Sequence, residues 1–329
     1  MTSQLVDSLL AHSKLGSPVA PPGFCNAGTL ANASVPVLIE GMTIPAFLNP
    51  EAGSADAARA AIESSGAFDI RDADADSLAQ DIKDAVSAGA TRILVSGGDG
   101  TVACAAGALA ATHAELAVLA GGTLNHFAKD HGISTDFDQA VAAALGDQVS
   151  EVDIGYVNDS LFLNTFSVGM YVGYVKTRDR LEKRVGYRVA SFLSLLRTFM
   201  RMWTMSIELE VDGKVRRYKT ALVFVGVGER ELKAPHLGAR VEGGKRGLHV
   251  LVVTGRRRAR LVALAMAAAS RGVSHAAGGP ELDSFVVDKC TIHLRRHSTP
   301  IALDGEIMDA KTPLQLRLAE NELKLVGAK

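Results

Sequence analysis

Residues 94–110 read LVSGGDGTVACAAGALA. The apolar run at 92–95 has strand character and the alanine-rich run at 102–111 has helix character, so Gly97, Gly98 and Gly100 fall on the turn between them. Such a turn suits a phosphate. Backbone N–H groups without a neighbouring Cβ can approach the anion, and the helix that follows presents its positive end to it. An ordinary strand-to-helix turn also uses glycine for tight packing, so the glycines alone leave both readings open. Asp99 favours the first. A carboxylate among backbone donors repels a phosphate unless it holds a cation or receives a proton, which points to Mg²⁺-nucleotide chemistry. No G-K-[ST] follows, so the loop is not a P-loop.

Outward from this stretch, strand-like and helix-like segments alternate from residue 43 to residue 145. The segments 43–49, 67–72, 91–98 and 116–122 have strand character. The segments 54–66, 76–89, 123–132 and 139–145 have helix character, with Ser54 and Asp76 as expected N-caps and Gly66, Gly89 and Gly132 at helix ends. Repeated βα units predict a doubly wound parallel sheet. From residue 151 the texture is strand after strand, with Asp212-Gly213 marking a hairpin, so a mainly antiparallel second half is expected. The expected organisation is a flexible extension at 1–41, a nucleotide-binding α/β domain at 42–150 and a β-rich substrate domain at 151–329, whose last strand is a candidate to return to the first domain.

The chain has 329 residues, 47% of them hydrophobic, enough for sizeable cores. Cys25, Cys104 and Cys290 are far apart and odd in number, which argues against a disulfide framework or a zinc site and suits a reducing compartment. No apolar run approaches the roughly 20 residues of a membrane-spanning helix. Charge is unevenly spread: residues 1–150 carry 6 Lys/Arg against 17 Asp/Glu, and residues 151–329 carry 29 against 19. The basic half suits an anionic surface, membrane lipid or nucleic acid, or else attraction to the acidic half. Within it, Lys176, Arg180, Arg184, Arg188 and Arg201 alternate with apolar residues, as in a helix lying on an anionic interface; a basic helix packed on the sheet has the same composition.

Three loops of the first half, LNPEAGS (48–54), SGGDGT (96–101) and AGGTLNHFAKD (120–130), follow predicted strands and would meet at one sheet edge, where open α/β sheets bind ligands. With the late D-G-E at Asp304, Gly305 and Glu306, these motifs resemble, in order, those of the diacylglycerol kinase catalytic family, which includes bacterial lipid kinases and sphingosine kinases. The resemblance covers about residues 43–329. Its first domain is also like that of NAD kinases and phosphofructokinases, which share G-G-D-G. It implies ATP-dependent phosphorylation of a lipid hydroxyl, diacylglycerol-like or sphingoid, with ATP and Mg²⁺ as cofactors.

Carried over by position, Asn49, Thr101 and Thr123 would line the nucleotide site, Gly97, Gly98 and Gly100 would surround the phosphates, and Asn125 would support the third loop. Asp99 would be the carboxylate for the nucleotide's Mg²⁺, and Glu306 with Asp304 the acidic catalytic pair, Glu306 receiving the substrate proton. Asp304-Gly305 between two strand-like runs is by itself the signature of a hairpin turn, whereas in an extended segment the two carboxylates would point to the same side. The expected setting is cytoplasmic, at the inner face of an anionic membrane, with a lipid partner, no nucleic acid and a homodimer as a further expectation. Three departures stand out: Ala120-Gly121 replaces the usual Pro-Leu, His126 the usual Asp, and Arg246 the Asp of a structural Mg²⁺ segment, so that metal is expected to be absent. The rival readings are another G-G-D-G kinase, NAD-kinase-like, and a catalytically weak lipid- or nucleotide-binding regulator.

Overall fold

Residues 43–169, 204–231, 239–254 and 282–328 are described by the computed structural model. The extension at 1–41 and the basic segment around Arg180, Arg184 and Arg188 lie outside them. The first described part is built of β1 (Ile44–Leu48), α1 (Ala55–Ser65), β2 (Phe68–Asp72), α2 (Leu78–Ser87), β3 (Arg92–Gly97), α3 (Asp99–Leu109), β4 (Glu115–Ala120), α4 (His126–Asp130) and α5 (Phe137–Ala144).

These strands pair in parallel in the order β4-β3-β1-β2. Because strand side chains alternate in direction, a strand covered on both faces must be apolar throughout. β3 shows this directly. Ile93 and Val95 pack with Leu78 and Ile82 of α2 and with Val102 and Leu109 of α3. Leu94, between them, packs with Ala58 and Ile62 of α1 and with Ala140 and Ala144 of α5. The sheet is therefore doubly wound, as the alternation predicts.

Local signals hold with adjustments. α1 ends on Gly66 in the left-handed conformation (φ 64°). α2 is preceded by Ser77 instead of Asp76, because the Asp76 N–H is engaged by Asp74 Oδ1 at 2.9 Å in a turn before the helix. The helix expected from residue 123 starts only at His126, since Asn125 is itself left-handed (φ 51°).

The second part comprises β5 (Val149–Val157), β6 (Ser160–Phe162), β7 (Thr165–Gly169), β8 (Met205–Val211), β9 (Lys214–Val227), β10 (Leu248–Thr254), β11 (Leu282–Val287), β12 (Lys289–Leu294), β13 (Ser298–Leu303), β14 (Glu306–Lys311) and β15 (Leu314–Val326). Pairing among these strands is antiparallel. β8 buries Met205, Ile207 and Leu209 and exposes Ser206 and Glu208, the two-residue period of a sheet with one covered face. Asp212 and Gly213 form the β8–β9 turn with φ of 48° and 72°, the type I′ geometry that matches strand twist. β15 joins the two parts. Its Lys324 and Leu325 pair in parallel with Glu115 and Leu116 of β4, while the strand also pairs antiparallel with β5 and β12. No helix among the described residues is long and apolar enough to cross a membrane.

Candidate active site

The loops after β1, β3 and β4 lie at the carboxyl ends of adjacent parallel strands and are tied together by main-chain bonds. Asn49 N–H donates to Ser96 O at 2.9 Å, and Gly121 N–H to Gly97 O at 2.9 Å. Side chains extend the ties: Asn49 Nδ2 donates to Thr101 Oγ1 at 3.3 Å, and Ser54 Oγ to Gly121 O at 2.9 Å. Ser54 thus bonds to the third loop instead of capping its own helix.

Asn125 supports the third loop internally. Its Oδ1 accepts Gly122 N–H at 2.9 Å, and its Nδ2 donates to Gly122 O at 2.8 Å and Ala120 O at 3.2 Å. Asp99, at the start of α3, accepts Phe127 N–H on Oδ1 at 3.2 Å, linking the second loop to α4.

Beside these loops opens a cavity of about 820 Å³ lined by Asn49, Asp74, Leu78, Gly98, Thr101 and Glu306, among others. Its size suits a nucleotide. Gly97, Asp99 and Asn125 are not among its lining residues; Gly97 and Asn125 tie the loops that border it. Thr123 is exposed and also lies outside the lining, so the nucleotide-lining role expected of it is not supported by its position. Cys104 lines the cavity and was not anticipated, although it lies one helical turn beyond Gly100 on the same face of α3.

The D-G-E segment follows the hairpin reading of Asp304-Gly305 and not the extended one. Asp304 and Gly305 have φ of 46° and 93° and form a two-residue turn closed by the Leu303–Glu306 pair of β13 and β14, so the two carboxylates do not share one side of a strand. Asp304 turns inward. Its Oδ2 accepts Leu163 N–H at 2.7 Å, and its Oδ1 accepts Asn164 and Thr165 N–H, each at 2.8 Å. Its own N–H donates to Thr165 O at 2.8 Å, so the turn is riveted to the start of β7. Burial pushes the Asp304 carboxyl above its ordinary range, the three amides pull it down, and the charge of Asp99 adds to the rise.

Glu306, by contrast, is exposed and reaches α3: a Cβ on Gly100 would lie 2.5 Å from its Oε1. It also borders a second, smaller cavity of about 290 Å³, lined by Ala103, Cys104, Leu161, Leu303, Ile307 and Met308 together with Gly100 and Glu306. Gly100, Cys104 and Glu306 are common to both cavities. Burial raises the Cys104 thiol above its ordinary value, and the nearby Glu306 charge adds to the rise.

Arg246, in the place of the metal-segment Asp, makes a forked contact with Asp153, donating from Nε to Oδ2 at 2.7 Å and from Nη2 to Oδ1. The same Nη2 donates to Asn321 Oδ1 at 2.7 Å, and Nη1 pairs with Glu320 at 3.0 Å. Burial would raise the Asp153 carboxyl, but the Arg246 hydrogen bonds and Asn321 N–H hold it below its ordinary range. Among the described residues no group of three or more His, Cys, Asp or Glu is placed to hold a metal.

Residues 44–157 match the model of the diacylglycerol kinase catalytic domain. A Pseudomonas putida protein named "Probable lipid kinase YegS-like" is 36% identical over 151 residues, covering 45% of this chain and 50% of that protein. A Staphylococcus haemolyticus protein named "Diacylglycerol kinase" is 27% identical over 139 residues, 41% of this chain and 42% of its own. The chain thus matches about half the length of these curated relatives. The crystal structure of a diacylglycerol kinase from Bacillus anthracis shares the fold, with a TM-score of 0.63 and 18% identity over 86% of this chain and 96% of that one.

Proposed function

We propose that this chain, whose residues 44–157 match the diacylglycerol kinase catalytic domain, is an ATP-dependent lipid kinase that phosphorylates the hydroxyl of a diacylglycerol-like or sphingoid lipid at a membrane surface. The observation that carries this reading is the position of Glu306 where the nucleotide-sized cavity and the smaller, partly apolar cavity meet. A donor in the first and an acceptor in the second would both border one carboxylate.

In this reading the loops of Asn49, Gly98 and Thr101 hold the triphosphate, and the acceptor's hydroxyl enters beside Leu161 and Met308. The acceptor oxygen forms a bond to the γ-phosphorus as the bond to the bridging β–γ oxygen breaks. Glu306 takes the hydroxyl proton, and ADP leaves. Asp304 touches neither reactant. It holds the turn that aims Glu306, through its three amide bonds.

The residues fit a Mg²⁺ carried by the nucleotide. Asp99 lies close enough to Asp304 for its charge to raise that carboxyl, and with Glu306 over Gly100 the site is an anionic patch that would repel a bare triphosphate. Asp99 would hold the ion, which would neutralise charge developing on the phosphates.

The test is to incubate the full chain with labelled ATP, Mg²⁺ and vesicles containing diacylglycerol or a sphingoid base. Labelled phospholipid is expected, and Glu306→Gln should slow its formation by roughly 10²–10⁴ while nucleotide affinity stays level. No labelled lipid from the parent would remove the lipid-kinase reading. Full activity in Glu306→Gln would remove Glu306 as the base.

A further inference from the structure

A cavity of about 680 Å³ opens beside the end of α4, the β5 segment around Asp153, and residues 239–246. It shares no lining residue with the nucleotide cavity or with the cavity at Met308. Four cationic side chains line it: Lys129, whose Nζ donates to Leu124 O at 2.6 Å, Arg240, Lys245 and Arg246.

Arg240 is the informative one. Its stem crosses Gly228, where a Cβ would lie 2.9 Å from Arg240 Nε, so its path is fixed by the close approach of main chain. Its Nη1 is 3.5 Å from His131 Nε2. That imidazole packs against Phe127 at 4.6 Å between ring centres and is held neutral, its pKa pushed down to about 4 by burial and then by the Arg240 charge. The nearest buried carboxylates are already engaged, Asp130 by Arg230 and Asp153 by Arg246. Among the described residues Arg240 makes no ion pair. The result is a half-buried guanidinium, set in position beside a neutral ring, with Asp130 and Asp153 attracting it only from beyond ion-pair distance.

Burying a cation costs free energy unless an anion accompanies it. The remaining acids of the wall do not serve. Glu229 accepts Lys245 N–H at 2.8 Å, and Glu151 and Glu242 are exposed, where water and salt screen them. A cation ligand has no set of three acidic or imidazole donors here among the described residues. We propose that this cavity is a phosphate-binding site, distinct from the reaction centre, in which Arg240 supplies the fork and Lys245 supplies further positive charge. The guanidinium matches phosphate oxygens in planar, two-point fashion. The ligand is a phosphate group, free in solution or on a lipid head. This assignment does not rest on the kinase reading, because no residue is shared.

The test is calorimetric titration of the full chain with inorganic phosphate, without nucleotide, for the parent, Arg240→Gln and Lys245→Gln. Saturable binding is expected in the parent, weakened about tenfold or more in Arg240→Gln, the effect of losing one charge-assisted contact. A smaller weakening is expected in Lys245→Gln, whose exposed side chain makes misfolding no explanation. Equal affinity in the parent and both variants, or no saturable binding, would overturn the proposal. A second arm measures retention on phosphatidylcholine vesicles with and without phosphatidic acid. Retention that needs both phosphatidic acid and Arg240 assigns the ligand to a lipid head; phosphate binding that needs Arg240, with vesicle retention that does not, assigns it to free phosphate.

Discussion

The carboxylate of Glu306 lies over Gly100, so close that a Cβ on this glycine would stand 2.5 Å from Oε1. Gly100 is inside α3, where alanine is a better helix former, so Gly100→Ala should leave the melting temperature level or slightly raised. The methyl should instead push the flexible end of Glu306 aside. Turnover is expected to fall about 10²-fold, the scale of an ångström-sized misplacement of a catalytic group. Parallel assays of turnover and melting check this; unchanged turnover would mean that Glu306 acts from another position.

The second and third loops touch main chain to main chain, and two substitutions separate shape from binding. A Cβ on Gly122 would stand 2.5 Å from Gly98 Cα and 2.9 Å from Asn125 Oδ1, with only backbone able to give way at the first contact. Gly122→Ala should therefore destabilise by about 1–3 kcal/mol, as overpacking does, and should weaken nucleotide binding with it. A Cβ on Gly98 meets Gly122 Cα at an ordinary 3.6 Å. Gly98→Ala should keep the parental melting curve and lose nucleotide affinity only, because Gly98 lines the cavity.

Asp304 and Glu306 should give opposite signatures although they sit in one motif. Asp304→Ala strands three N–H donors and places alanine at φ 46°, so a loss of several kcal/mol is expected. Asp304→Asn tolerates the left-handed backbone and keeps one acceptor oxygen, so its loss should be about half as large. Glu306→Gln should not move the melting temperature. Lost turnover with an unchanged melting curve in Asp304→Ala would instead place Asp304 in direct contact with a reactant.

His131 makes stability depend on pH in a defined window. Its folded pKa lies near 4 against 6.5 for a free imidazole, so between these values the unfolded chain binds the extra proton. The stabilisation is complete above about pH 6.5 and is lost as pH falls toward 4, an amount on the order of 3 kcal/mol. His131→Gln should flatten the slope of melting temperature between pH 4 and 6.5. A slope identical to the parent's would show that another group drives it.

Short-range patterns fix which segments become strands and helices here, because their causes are local. The unbroken apolar run of β3 requires cover on both faces, Gly66 ends α1 through its own backbone freedom, and Asp212-Gly213 makes a two-residue turn wherever two such strands flank it. The order of the βα units likewise placed the three glycine-rich loops at one sheet edge. What only the tertiary structure decided is how groups far apart in the chain divide the work. Nothing local distinguishes Asp304 from Glu306; the difference arises because the segment 163–165 leading into β7, about 140 residues earlier, turns three N–H groups toward one of them, while α3, some 200 residues earlier, brings Gly100 under the other. Arg240 and His131 were equally silent in sequence. A side chain's charge state and vacancy for a ligand depend on which neighbours dehydrate it and which carboxylates are already engaged, and these are set by long-range packing, which leaves no periodic trace in the chain.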